Sequence, residues 1–199
     1  MTFDFMNVNW NYFVFSRKRA TSHIENFDLN EIPAYSGAIV ASPNTSSEWI
    51  RASPSIAASI VDFLKDEFNI GKVYIGGHSA GSYYAYSVGA SSAIPNLAGI
   101  LPIAGNGRRG VRPGVAVSHL HGTRDRINSY SGGVRSVERS AQDNDCTGSS
   151  ESRDIDDITT RTFENCRAPV RLYTCRGAGH FPCQRHVKQI FQELLDDTN

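Results

Sequence analysis

One stretch of this sequence restricts the fold more than any other. Lys72 to Ile75 reads as a short buried strand that runs into Gly76-Gly77-His78-Ser79-Ala80-Gly81, and a helix of small and aromatic residues follows through Val88. Gly77 to Gly81 matches G-x-S-x-G. So short a pattern carries little by itself, but between a strand and a helix it has a physical meaning. The strand delivers the serine, the helix leaves at once, and the strained turn between them holds the hydroxyl clear of the sheet edge. The flanking glycines leave room for the turn and for close helix–strand packing. The helix start also offers unpaired amides to an oxyanion, with Ala80 N–H the expected donor. Ser82 and Ser87 fall inside the helix and are read as structural.

The rest of the chain supplies the sheet that such a turn needs. Candidate strands are Tyr12 to Phe15, Gly37 to Ala41, Ala98 to Ala104, Val115 to His121 and Val170 to Cys175. They alternate with helical patterns, which predicts a mostly parallel sheet with helices on both faces. One helix is expected after Ser53 as N-cap and Pro54 as first residue, with Ile56, Ile60, Val61, Leu64 and Phe68 on one face and Gly71 at its end. The last helix carries Val187, Ile190, Phe191, Leu194 and Leu195 as one stripe. Asp143 to Asp157 is polar and reads as a loop or insertion, in a region spanning 143–165. At 199 residues, a single domain over 1–199 accounts for everything, with 1–36 as an abbreviated N-terminal region.

A serine hydroxyl is a weak nucleophile until a base takes its proton, and the base needs a carboxylate to fix its tautomer. Asp125 lies on the loop after the Val115–His121 strand. His180 lies after Val170–Cys175 in Arg176-Gly177-Ala178-Gly179-His180-Phe181-Pro182, where glycines allow a sharp turn back over the sheet. The chain order serine, acid, histidine, each past a strand end, is that of α/β-hydrolases. Ser79, Asp125 and His180 are therefore the expected triad. Competing acids (Asp143, Asp145, Asp154 to Asp157) sit in the polar insertion. The competing bases are His23, His78, His119, His121 and His186; His78 is expected to point away from the substrate and His186 to lie at the surface. His119 and His121 alternate along a strand and share a face, with no Asp, Glu or Cys at ligand spacing to suggest a metal.

His121-Gly122-Thr123-Arg124-Asp125 resembles the acid loop of the polyhydroxybutyrate depolymerase and feruloyl esterase group of secreted α/β-hydrolases. Gly177-Ala178-Gly179-His180-Phe181-Pro182 is similar to that group's histidine loop, and Ser42-Pro43-Asn44 with Trp49 to its segment after the preceding strand. The likeness covers roughly residues 37 to 199 and rests on the ordered set of motifs. It implies an α/β-hydrolase fold and a serine esterase acting without metal or organic cofactor. It also implies a Cys146–Cys166 disulfide. Cys175 and Cys183 depart from the group's pattern, and a bridge between them would staple the histidine loop. The second departure is at the N-terminus, where no His-Gly loop follows Tyr12-Phe13-Val14-Phe15. A backbone N–H near Ser16 or Arg17 is the expected substitute for the second oxyanion donor.

The leading expectation is thus hydrolysis of an acyl, aryl or hydroxycinnamoyl ester, or a polyhydroxyalkanoate-type ester, through an acyl-enzyme. Trp49 and Phe181, with Tyr83 and Tyr84, are candidates either for an aromatic substrate wall or for the core. Alternatives on the same fold are thioester or peptide cleavage, or a non-catalytic descendant that binds a ligand or partner. The 20 basic and 20 acidic residues cancel, so no bulk field recruits nucleic acid or a membrane, and no apolar run is long enough to span a bilayer. Residues 1 to 7 lack the pattern of a secretory signal. The four cysteines are either paired, which would place the protein in an oxidising compartment, or reduced thiols in a cytoplasmic one. A sheet edge left open by the short N-terminal region makes a homodimer an expectation.

Overall fold

The computed structural model describes residues 10–14, 39–41, 49–153 and 158–198. Among the described residues, eight strands form one sheet in the order β2-β1-β3-β4-β5-β8-β7-β6. These are β1 (Trp10–Val14), β2 (Ile39–Ala41), β3 (Ile70–His78), β4 (Leu97–Ile103), β5 (Ala116–Gly122), β6 (Gly148–Arg153), β7 (Ile158–Glu164) and β8 (Val170–Cys175). β2 through β8 in that order pair in parallel, and β7 and β6 add an antiparallel hairpin at the edge. Phe15, Gly37, Ser16, Arg17, His23, Ser42-Pro43-Asn44 and Asp154 to Asp157 lie outside the described residues.

The sheet is covered on both faces, because buried strands leave apolar side chains on each side. One core gathers Val73, Ile75, Ile100 and Val117 with residues of helices α1 (Ser55–Glu67), α2 (Ala80–Gly89) and α3 (Tyr130–Asp143). The other gathers Tyr74, Leu101 and Leu120 with the Val187, Ile190, Phe191, Leu194 and Leu195 stripe of α4 (Val187–Thr198). Among the described residues, no helix is long and apolar enough to cross a membrane.

Three local expectations are corrected. The helix expected after Ser53 starts at Ser55 with Pro54 at its N-cap, and Ser53 Oγ accepts the Ser55 N–H at 3.3 Å. It stops at Glu67 because Phe68 turns extended (φ −137°), so Gly71 lies inside β3 and ends no helix. The polar stretch from Asp143 onward is not a plain loop. It contains β6 and, after the undescribed residues 154–157, β7 follows. Pairing with β7 satisfies the backbone groups on one side of β6 whatever its side chains, among them Ser149, Ser150, Glu151 and Ser152. The same region holds the Cys146–Cys166 disulfide (Cα–Cα 4.1 Å), and Cys175–Cys183 (Cα–Cα 6.0 Å) closes the second pair, so among the described residues no cysteine is free. Both are compatible with an extracellular setting.

Candidate active site

Ser79 occupies the turn between β3 and α2 with φ 56° and ψ −114°, a backbone state that non-glycine residues rarely hold. What holds it there is the fit of strand to helix. A Cβ on Gly77 would stand 2.3 Å from the carbonyl carbon of Gly81, so only glycine at 77 lets the strand approach the helix backbone this closely. The Ser79 N–H donates to Ile103 O at 2.8 Å, tying the turn to the end of β4, and Ser82 N–H closes back on Ser79 O at 3.0 Å. Ala80 is the first residue of α2, and the first amides of a helix have no partner within it.

Asp125 and His180 meet on loops past β5 and β8. Two backbone bonds pin one loop to the other: Thr123 N–H donates to Cys175 O at 3.1 Å, and Arg124 N–H to Ala178 O at 2.8 Å. Gly122 is required at this crossing, since a Cβ there would lie 2.3 Å from Gly179 O. His180 Nδ1 then donates to Asp125 Oδ2 at 2.9 Å. The other carboxylate oxygen, Oδ1, accepts the N–H of Ile127 at 2.8 Å and of Asn128 at 2.9 Å. Burial alone would raise the Asp125 pKa; the His180 hydrogen bond and the Asn128 and Ile127 amides outweigh it and hold the pKa below the usual carboxylate value.

His180 is poised at the turn that carries Ser79. Its ring lies 4.7 Å from that of His78, the residue before the serine, and its carbonyl oxygen accepts from His78 Nε2 at 2.7 Å. His78, expected to point away from the substrate, is buried under the histidine loop and stacks on Phe181 at 4.7 Å.

The aromatic wall divides. Phe181 is 47% exposed beside His180, as a substrate contact requires. Trp49 is only 4% exposed and packs on Tyr84 at 4.8 Å, so both belong to the core, because the short 3₁₀ turn Trp49–Arg51 turns the indole inward. Tyr83 donates to Asn128 Oδ1 at 3.1 Å and lines a cavity of about 470 Å³ with Ile50, Ser87 and Arg109. Ser79, Asp125 and His180 do not line that cavity. Sequence reading missed Ile127, an apolar side chain 70% exposed on the acid loop, and Asn128, which holds Asp125. Both fall within three residues of Asp125, which is the signal that could have found them. The region proposed for the second oxyanion donor, Ser16, lies outside the described residues. Among the described residues no cluster of three or more His, Cys, Asp or Glu is placed to hold a metal.

No protein-family model and no curated protein sequence matches the chain. Solved structures do. Esterase PE8 superposes with a TM-score of 0.63 at 12% identity, over 95% of this chain and 93% of that one. Est1E from Butyrivibrio proteoclasticus gives 0.59 at 14% identity, over 94% and 89%. The poly(3-hydroxybutyrate) depolymerase LpqC from Bordetella parapertussis gives 0.55 at 14% identity, over 96% and 80%. The chain has the α/β-hydrolase fold. Within that fold, a serine after the central strand and later loops bearing an acid and a histidine occupy the C-terminal edge of the parallel sheet, where ligands of open α/β sheets bind.

Proposed function

We propose that this α/β-hydrolase is a carboxylic-ester hydrolase with Ser79 as nucleophile, His180 as general base and Asp125 as the residue that holds the imidazole. The observation that carries the reading is the strained Ser79 turn lying beside a hydrogen-bonded Asp125–His180 pair. With Nδ1–H committed to Asp125, a neutral His180 presents Nε2 as an acceptor. Nε2 takes the Ser79 proton as Oγ attacks the ester carbonyl, and returns it to the departing alcohol when the acyl-enzyme forms. Water then repeats the sequence and releases the acid. Ala80 N–H stabilises the tetrahedral oxyanion, and a backbone amide near Ser16 is the second donor in this reading. Loss of one such donor lowers turnover by roughly a hundred- to a thousandfold.

Exposed Phe181 and Ile127, flanking His180 and Asp125, support substrates with an apolar acyl or aryl group, including hydroxycinnamoyl and polyhydroxyalkanoate-type esters. The test is labelling with a fluorophosphonate probe and turnover of p-nitrophenyl butyrate and a feruloyl ester, beside Ser79→Ala. Labelling confined to the unsubstituted protein, with turnover reduced at least about a thousandfold in Ser79→Ala, is expected. Equal turnover by both proteins overturns the assignment.

A further inference from the structure

Asp125 has a second histidine neighbour. His121 Nε2 lies 3.0 Å from Asn128 O and 3.3 Å from Asp125 Oδ2, the oxygen that also holds His180. Behind it, His121 Nδ1 is 3.0 Å from His119 Nε2, and His119 Nδ1 is 2.8 Å from Tyr86 Oη. All three side chains belong to residues at most 2% exposed.

The partners dictate the proton positions. Asn128 O and the Asp125 carboxylate only accept, so His121 Nε2 carries its proton. Burial, with the neighbouring carboxylate and the Asn128 carbonyl only partly offsetting it, lowers the His121 pKa, and burial lowers that of His119 further, so both rings are neutral. A neutral His121 then accepts at Nδ1, which makes His119 Nε2 a donor and His119 Nδ1 the acceptor of the Tyr86 hydroxyl. Burial pushes the Tyr86 phenol up, so it keeps that proton. Every hydrogen bond therefore points toward Asp125. Gly133 of α3 makes room: a Cβ there would stand 2.4 Å from His121 Nδ1 and 2.8 Å from His119 Nε2.

We propose that Tyr86, His119 and His121 form a buried, one-directional hydrogen-bond line that fixes Asp125, with His121 as a positioning residue of the hydrolytic site. The proposal rests on the triad reading given above. Its chemical consequence concerns the shared oxygen. The His121 donor draws charge from Oδ2, so Asp125 stabilises a protonated His180 less than it otherwise would. The titratable or charged groups facing the line are Asp125 and His180 from the loops, Tyr130 of α3 against the His121 ring, and Arg139 of α3 acting on Tyr86.

The experiment compares the full chain with His121→Phe, His121→Gln and Tyr86→Phe. It reads kcat and KM for p-nitrophenyl butyrate, the pH profile, near-UV circular dichroism and the ¹⁵N shifts of the imidazoles. In His121→Phe, kcat is expected to fall roughly ten- to a hundredfold at nearly constant KM. The acidic limb of kcat/KM, which reports the Asp125–His180 pair, should move to higher pH. Gln can donate and accept along the same line, so His121→Gln should recover to within about threefold. Tyr86→Phe should move the limb in the same direction by less. A folded His121→Phe with an unchanged kcat and profile overturns the proposal, as does a His121→Gln no better than His121→Phe. If His121→Phe fails to fold, the other two variants and the wild-type shifts decide it. Nε2–H tautomers at both His119 and His121 support the line, and any other pair of tautomers overturns it. The shifts are read without turnover, so a chain with no Ser79-dependent activity defeats the esterase reading and leaves the line separately judged.

Discussion

His78 and His180 meet at the rim of the sheet, whereas His119 and His121 meet within it. Both pairs place ring near ring, at 4.7 Å and 5.3 Å between centroids. The rim pair is held by backbone: His78 donates to the His180 carbonyl, leaving the His180 ring to Asp125 and the site. The inner pair is held by its own rings, each nitrogen committed to a partner, so no lone pair remains for chemistry. Access and the count of committed nitrogens separate a candidate base from a structural relay. Residue type does not.

That contrast can be broken at its most crowded point. Gly133→Ala would gain about 1 kcal/mol of helix propensity. The added Cβ, however, meets two imidazoles that are already hydrogen-bonded and cannot withdraw. Overpacking and loss of one buried bond together cost roughly 3 kcal/mol. A net loss of about 2 kcal/mol is expected in denaturant unfolding, and a neutral or stabilising result would mean that the inner pair is loosely held.

Acid sharpens the contrast next. His119 and His121 have folded pKa values lowered mainly by burial. As pH falls below the ordinary value of about 6.5, the unfolded chain takes up protons that the folded chain refuses. Stability is therefore full above that value and lost progressively below it, at up to about 1.4 kcal/mol per pH unit for each histidine. Asp125, held low by His180 and two amides, acts in a separate window. Its contribution is present above about 3.9 and lost as pH falls through its lower folded value. Unfolding free energies from pH 7.5 to 5 should slope downward in the wild type and flatten in a His119→Gln, His121→Gln variant. An unchanged slope would show that other groups govern acid sensitivity.

The smallest effect belongs to the rim. Phe181 is nearly half exposed, so Phe181→Ala should alter stability by no more than about 0.5 kcal/mol. Loss of an apolar substrate contact should raise KM for aryl esters by about tenfold, with less effect on acetate esters. An equal effect on both substrates would assign Phe181 to holding the histidine loop through its stack on His78.

Legibility in the sequence followed the range of the interactions. Ser79, Asp125 and His180 could be located because each sits in a short segment whose strand, turn and glycines are contiguous. α3 escaped notice because its buried face is Gly132, Gly133, Ser136, Ser140 and Ala141 around a lone Val137, a stripe of small residues with almost no hydrophobic signal. Its serines are satisfied locally, Ser136 and Ser140 each donating to a carbonyl one turn back. β6 escaped because an edge strand needs a paired backbone more than an alternating pattern. Trp49 stays undecided between site and core in the sequence, because an aromatic residue near a site motif looks the same whether its ring turns outward or inward.

The alternation of strands and helices, the strained serine turn, and the order of serine, acid and histidine are written in the chain itself. These depend on backbone sterics and periodicities that neighbouring residues set. Which histidines share Asp125 is settled by packing. His121 and His180 are far apart in the chain, and they converge on one carboxylate oxygen because Gly122 lets two loops touch and Gly133 lets a helix settle over the inner ring pair. Hydrogen-bond direction depends on such convergence, and no local pattern encodes it.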